Sequence, residues 1–127
     1  MADAGRAKRA GKVRTRASSK PAPERLDADR LTIGALQGLI RERYYPTDAA
    51  RGTPATFMWF IEEVGELSTA LANNAPGKRP TRAQRANLDE EFADVLAWLC
   101  TLANINGVDL QGALKKYTVK GVAGVKS

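Results

Sequence analysis

From Leu31 onward the hydrophobic positions recur with a helical period. Leu31, Ile33, Leu36, Leu39 and Ile40 follow the spacing that lays an apolar stripe along one face of a helix. This first helix is expected to end near Tyr44 and Tyr45, because Pro46 disfavours helical backbone in the residue before it. A polar loop through Asp48, Arg51 and Gly52 should follow. Thr53 reads as an N-cap with Pro54 at the first helical position, opening a second helix that runs to about Ala72. Asn73 to Thr81, with its Asn-Asn and Pro-Gly pairs, reads as a loop. A third helix should cover Arg82 or Asn87 to Asn106, with Gly107 suited to the left-handed position past its end. Asp109 then caps a short fourth helix reaching about Tyr117. No stretch alternates with the period of a strand and no repeat is visible, so the expected class is an all-α, four-helix bundle.

Composition divides the chain further. It has 127 residues and a net charge of +6. Residues 1–25 hold eight Lys or Arg against Asp3 and Glu24, while the remainder carries twelve charges of each sign. That first segment is poor in large apolar side chains and cannot offset its ordering entropy by burial. The expected organisation is a disordered basic tail at 1–25, a helical domain at 26–118 and a flexible tail at 119–127. A solvated tail is the plainer reading of the basic segment. A nucleic-acid-binding arm is the functional one, and a transit peptide would need a cleavage signal the segment lacks. No apolar run approaches the roughly 18 residues of a membrane span, and no secretory signal is visible. With one cysteine, Cys100, read as a small buried hydrophobe, the expectation is a cytoplasmic protein.

Histidine is absent. This excludes Ser-His-Asp and Cys-His catalysis, and with them the usual His/Cys zinc sites. Chemistry must then rest on carboxylates, Lys or Arg, or a hard metal held by oxygen. The second helix carries Glu62, Glu63 and Glu66, with Glu63 and Glu66 within roughly 60° of each other at about 100° per residue. Phe60, Val64, Leu67 and Leu71 cluster about 100° away and are expected to face the core. The third helix repeats the arrangement with Glu91 and Asp94 beside Phe92, Leu96 and Leu99. If the two apolar stripes pack together, both acidic pairs converge beside the core. Four carboxylates so placed need a cation, and Mg²⁺ or Mn²⁺ suits oxygen ligands and shares them with substrate phosphates. The plainer alternative is a pair of acidic helix faces, with Asp89, Glu90 and Glu91 answering a helix dipole. Trp59 and Trp98 stand four residues from Glu63 and Asp94 and offer faces on which a nucleobase could stack, or else belong to a core or dimer interface. Lys115 and Lys116 are the best candidates for neutralising phosphates.

Glu62-Glu63-Val64-Gly65-Glu66 followed by Glu91-Phe92-Ala93-Asp94 resembles the EExxE…ExxD motif of MazG-like nucleotide pyrophosphohydrolases, in the all-α NTP pyrophosphatase superfamily. The resemblance runs from about Leu31 to Tyr117. It implies that Glu63, Glu66, Glu91 and Asp94 bind Mg²⁺, and that Glu62 is a further ligand or the base that activates water. It implies hydrolysis of a nucleoside triphosphate to the monophosphate and pyrophosphate, in the service of clearing surplus or non-standard nucleotides. It also implies a homodimer or homotetramer, in keeping with apolar faces that four short helices leave uncovered. A phosphoribosyl-ATP-type enzyme, and a non-enzymatic helical module using the basic tail on nucleic acid, remain as alternatives. Some relatives carry cysteines after a Lys-Tyr stretch, whereas Lys116-Tyr117 is followed here by Thr-Val-Lys-Gly, so no C-terminal metal knuckle is expected.

Overall fold

Only Gly52 separates the first two long helices. Its φ of 77° lies in the left-handed region, which glycine enters without steric penalty. The computed structural model describes residues 26–118; the tails expected at 1–25 and 119–127 lie outside the described residues. After a single 3-10 turn at Ala28–Arg30 come α1 (Ile33–Arg51), α2 (Thr53–Asn73), α3 (Arg82–Ile105), and two short segments, α4 (Leu110–Ala113) and α5 (Lys115–Thr118). There is no strand among the described residues, so the fold is all-α as expected. None of the described helices is long and apolar enough to cross a membrane.

The helix ends follow local chemistry. Thr32 caps α1, its hydroxyl accepting from the Ala35 N–H at 3.0 Å. Thr81 and Gln84 form a reciprocal capping box that starts α3, satisfying two otherwise unpaired backbone donors. Gly107, at φ 67°, turns the chain out of α3, and the Val108 N–H returns to the Ala103 carbonyl at 2.9 Å. Asp109 then caps α4 by accepting from the Gly112 N–H at 3.1 Å.

Two expectations about α1 and α2 are corrected. α1 does not stop at Tyr45; it continues through Pro46 to Arg51. Proline removes one backbone donor and strains the preceding residue, but the turn beyond it is secured by an Asp48–Arg51 ion pair. The expected polar loop is therefore helix. Gly52, not Thr53, is the N-cap of α2, and the Thr53 hydroxyl is used instead by the Asn106 side chain at 3.1 Å.

α3 packs along both α2 and α1, which touch each other little. The near end of α1 is pinned to α4: Gln37 donates to the Val108 carbonyl at 2.6 Å and accepts from the Leu110 N–H at 3.0 Å. The apolar core is thin, with Ala70, Leu88, Cys100 and Ala103 buried, beside buried Asp48, Thr56, Glu91, Thr101 and Asn104. The expected burial of the two large apolar stripes is only partial, with Phe60, Leu67 and Leu96 half-buried. Val64, Leu71, Phe92 and Leu99 are exposed, as are Phe57 and Ile61. On α2 the exposed set spans an arc of roughly 80°, centred about 100° or more from Glu63. α2 and α3 instead meet across the faces that carry the acidic residues.

Candidate metal centre

Because the acidic faces are the contact faces, they bring carboxylates from two helices together. Glu63 and Glu66 of α2 and Glu91 of α3 each offer one oxygen, and these oxygens lie within 4.8 Å of one another. Glu91 is buried, Glu63 half-buried and Glu66 exposed, which gives the cluster a floor and an open mouth. Glu63 Oε2 and Glu91 Oε2 are buried and have no hydrogen-bond partner. The ion pairs among the described residues, Arg30–Asp27 and Arg51–Asp48, leave the cluster without a basic partner. An unpaired buried carboxylate oxygen is strongly disfavoured.

The electrostatics follow from that placement. Burial is the largest influence holding the Glu63 carboxyl above its ordinary value, followed by the charges of Glu66 and Asp94, while the neighbouring Trp98 side chain pulls part of the way back. Glu91 is raised in the same way, by burial first and then by Glu66, Asp94 and Glu63. Asp94 thus lies close enough to act on both carboxyls, although it stands outside the tight group of three. Glu62 is exposed and also outside it. The donor set is all oxygen, from acidic side chains, and fits a hard divalent cation such as Mg²⁺ or Mn²⁺.

Trp59 and Trp98 meet beside the cluster. Their rings stack at 6.2 Å between centroids with planes 12° apart, so each spends one face on the other. The Arg51 guanidinium lies 5.1 Å from the Trp98 centroid. Trp98 also lines a cavity of about 330 Å³ between α1 and α3, with Ile40, Tyr44, Thr47, Asp48, Arg51 and Thr101; its volume is at the small end of ligand sites. Reading α1 as ending at Tyr45 hid this cavity wall. The signal that finds it is the three-residue spacing of Asp48 and Arg51, an ion pair as soon as the helix continues.

Lys115 and Lys116 are not brought to the cluster within one chain. Lys115 lines a separate groove with Gly34, Asp109, Gln111 and Gly112, and Lys116 lies over the Tyr117 ring at 5.1 Å. That end of the bundle is built on Asn104 to Val108, which a rise of 1.5 Å per residue puts roughly 20 Å along α3 from Glu91.

A family model, the MazG nucleotide pyrophosphohydrolase domain, matches residues 52–122, more than half of the chain and all of the α2–α3 pair that carries the carboxylates. No curated protein gives a significant match.

Proposed function

The chain belongs to the MazG nucleotide pyrophosphohydrolase family, and from that membership we propose a divalent-metal-dependent enzyme that hydrolyses a nucleoside triphosphate to the monophosphate and pyrophosphate. The observation that carries the metal is the pair of buried, unpartnered oxygens on Glu63 and Glu91, facing Glu66 in a group without a basic partner. Glu63, Glu66 and Glu91 would hold the ion and Asp94 would complete the set. When bound, Mg²⁺ or Mn²⁺ offsets phosphate charge and lowers the pKa of water at the site.

The chain's own groups supply the rest. Exposed Glu66 stands at the mouth, where substrate phosphates arrive, while buried Glu91 anchors the floor. Glu62, one residue from the cluster and open to solvent, is the candidate to accept the proton of the attacking water. The tryptophan pair receives the base: since the rings already stack on each other, the base meets the outer face of Trp59 or the part of Trp98 that lines the cavity. Lys115 and Lys116 lie at the other end of the bundle from the cluster of their own chain, and the metal offsets phosphate charge at the cluster itself.

Phe57, Ile61, Val64, Leu71, Phe92 and Leu99 are exposed on α2 and α3, the kind of apolar surface that marks an interaction site. A second copy of the chain would cover it, giving a homodimer or a pair of dimers. Clearing surplus or non-standard nucleotides is the biological role this chemistry serves.

The test is a panel of ribo- and deoxyribonucleoside triphosphates with Mg²⁺, read as pyrophosphate release, with phosphoribosyl-ATP included to separate that substrate class. Glu63→Gln is expected to abolish turnover while the protein stays folded by circular dichroism. Absence of pyrophosphate from every member of the panel refutes the reading.

A further inference from the structure

The α1–α2 corner holds a network that the metal centre does not explain. Asp48 is only 5% exposed. Its Oδ1 accepts from Arg51 Nη2 at 2.5 Å, and its Oδ2 is buried with no partner. Arg51 Nε donates to the Thr56 hydroxyl at 3.0 Å. Thr56 is fully buried, and its hydroxyl donates in turn to the Gly52 carbonyl at 2.7 Å. The guanidinium is thereby held at two points, and it lies over the Trp98 ring. Trp98 stacks on Trp59 on one side of this chain of contacts and borders the cavity with Tyr44, Thr47 and Thr101 on the other.

Resting on the function proposed above, we propose that Asp48 and Arg51 are positioning residues: they fix the Trp98 ring between the carboxylate cluster and the α1–α3 cavity, so that the nucleoside end of the substrate meets a rigid aromatic wall. Three physical points support this. A buried ion pair gives little net stability compared with apolar residues of the same volume, and although this one helps to hold the last turn of α1, that role does not account for leaving Asp48 Oδ2 unsatisfied. The guanidinium is flat and delocalised, able to stack on an indole while donating in its own plane to Asp48 and Thr56. A lysine at the same position would keep the charge but lose the planar stack, and its donors would sit on one nitrogen instead of the two that reach Thr56 and Asp48. Moreover, Asp48, Arg51, Thr56 and Trp98 come from three different helices, so the network joins the cavity wall on α1 to the cluster-bearing pair.

The experiment uses the full chain. Because Trp59 and Trp98 are the two tryptophans, a Trp59→Phe background leaves Trp98 as the sole emitter, while kinetics are measured with Trp59 intact. Asp48→Asn and Arg51→Lys are expected to raise acrylamide quenching of Trp98 and shift its emission. They should raise KM for the preferred triphosphate by roughly three- to thirtyfold, the range set by loss of a partly desolvated cation–π contact, with kcat changed less. Arg51→Lys must fail to restore wild-type behaviour, since it retains the charge. If it restores both readouts, or if folded variants show unchanged Trp98 quenching, or altered quenching with unchanged KM, the proposal is overturned. Should both variants fail to fold, Thr56→Val leaves the ion pair in place, removes the acceptor of Arg51 Nε together with the hydroxyl's own bond to the Gly52 carbonyl, and is judged on the same readouts. A wild type without pyrophosphohydrolase activity overturns the functional reading instead, and Trp98 quenching then decides the positioning claim by itself.

Discussion

Removing divalent metal should destabilise this protein near neutral pH and matter little in acid. Glu63 and Glu91 are held above the ordinary value of about 4.5 by burial and by their acidic neighbours. A carboxyl whose folded pKa is raised contributes stability that is fully present below its unfolded value and is lost as pH rises through the folded one. In the metal-free protein that loss therefore develops above about pH 4.5 and is complete once both raised groups have ionised. A divalent cation reverses it by binding the ionised form. At a free metal concentration 100 times the dissociation constant, mass action supplies about 2.7 kcal/mol. The 93 described residues at 26–118 imply an unfolding entropy near 0.2 kcal/mol/K, so the melting temperature should rise by about 14 °C.

The assay is calorimetry in chelator and in Mg²⁺, from about pH 5 to pH 8, the interval that spans the expected ionisation. The metal-induced shift should widen as pH increases. Glu91→Gln replaces a buried, unpartnered carboxylate with a neutral amide of the same shape. It should melt above the wild type in chelator near neutral pH and lose most of its response to metal. Two results refute the reasoning: a melting temperature indifferent to Mg²⁺ and Mn²⁺ near neutrality, or an undiminished metal response in Glu91→Gln.

Two further outcomes test the surface and the core. Phe92 is 54% exposed, so covering it with a second copy would bury roughly 100 Å², worth about 2–3 kcal/mol in each protomer. Phe92→Asp should raise the dissociation constant of the oligomer by roughly a hundredfold or more, seen by light scattering on dilution; an unchanged mass in the variant, or a monomeric wild type, contradicts the interface. Cys100 is fully buried and burial pushes its thiol above the usual value, so a thiol-disulfide reagent should label it only as the protein unfolds. Cys100→Leu overfills that position and should destabilise by about 1–3 kcal/mol in urea titration; rapid labelling of the native protein would show the burial to be wrong.

Much of this was legible wherever the governing interaction is local. Gly107 and Asp109 act within a few residues of themselves, so the end of α3 and the cap of α4 could be read from the chain. The three-residue spacings of Glu63/Glu66 and Glu91/Asp94 placed each acidic pair on one face, and α2 and α3 meet through those faces. What the pattern does not contain is the partner of an apolar stripe. Val64, Leu71, Phe92 and Leu99 announce burial, but periodicity is the same whether a neighbouring helix or another copy of the chain covers them. Assigning the whole of both stripes to the internal core overstated what α2 and α3 bury between them, where Phe60, Leu67 and Leu96 are half-buried, although the carboxylates still met. Lys115 and Lys116 illustrate the same limit, since distance to a site along a bundle depends on how α4 folds back on α1.

Pro46, like Thr53, is a local signal that misled, and it yields a quantitative prediction. Proline breaks helices because it lacks a donor and crowds the preceding turn, at about 3 kcal/mol in a helix interior. α1 nevertheless runs on to Arg51, where Asp48, Arg51 and Thr56 tie the last turn to the start of α2. If those tertiary contacts carry the helix through, then Pro46→Ala restores a backbone N–H whose acceptor, the Glu42 carbonyl, lies one turn back. The variant should gain up to about 3 kcal/mol, moving the urea midpoint up by roughly 2 M for a slope near 1.5 kcal/mol/M. The slope itself should stay the same, because the surface exposed on unfolding does not change. A midpoint equal to that of the wild type would mean that the restored N–H finds no acceptor, and that α1 is held past Pro46 in a bent form fixed by the Asp48–Arg51–Thr56 contacts.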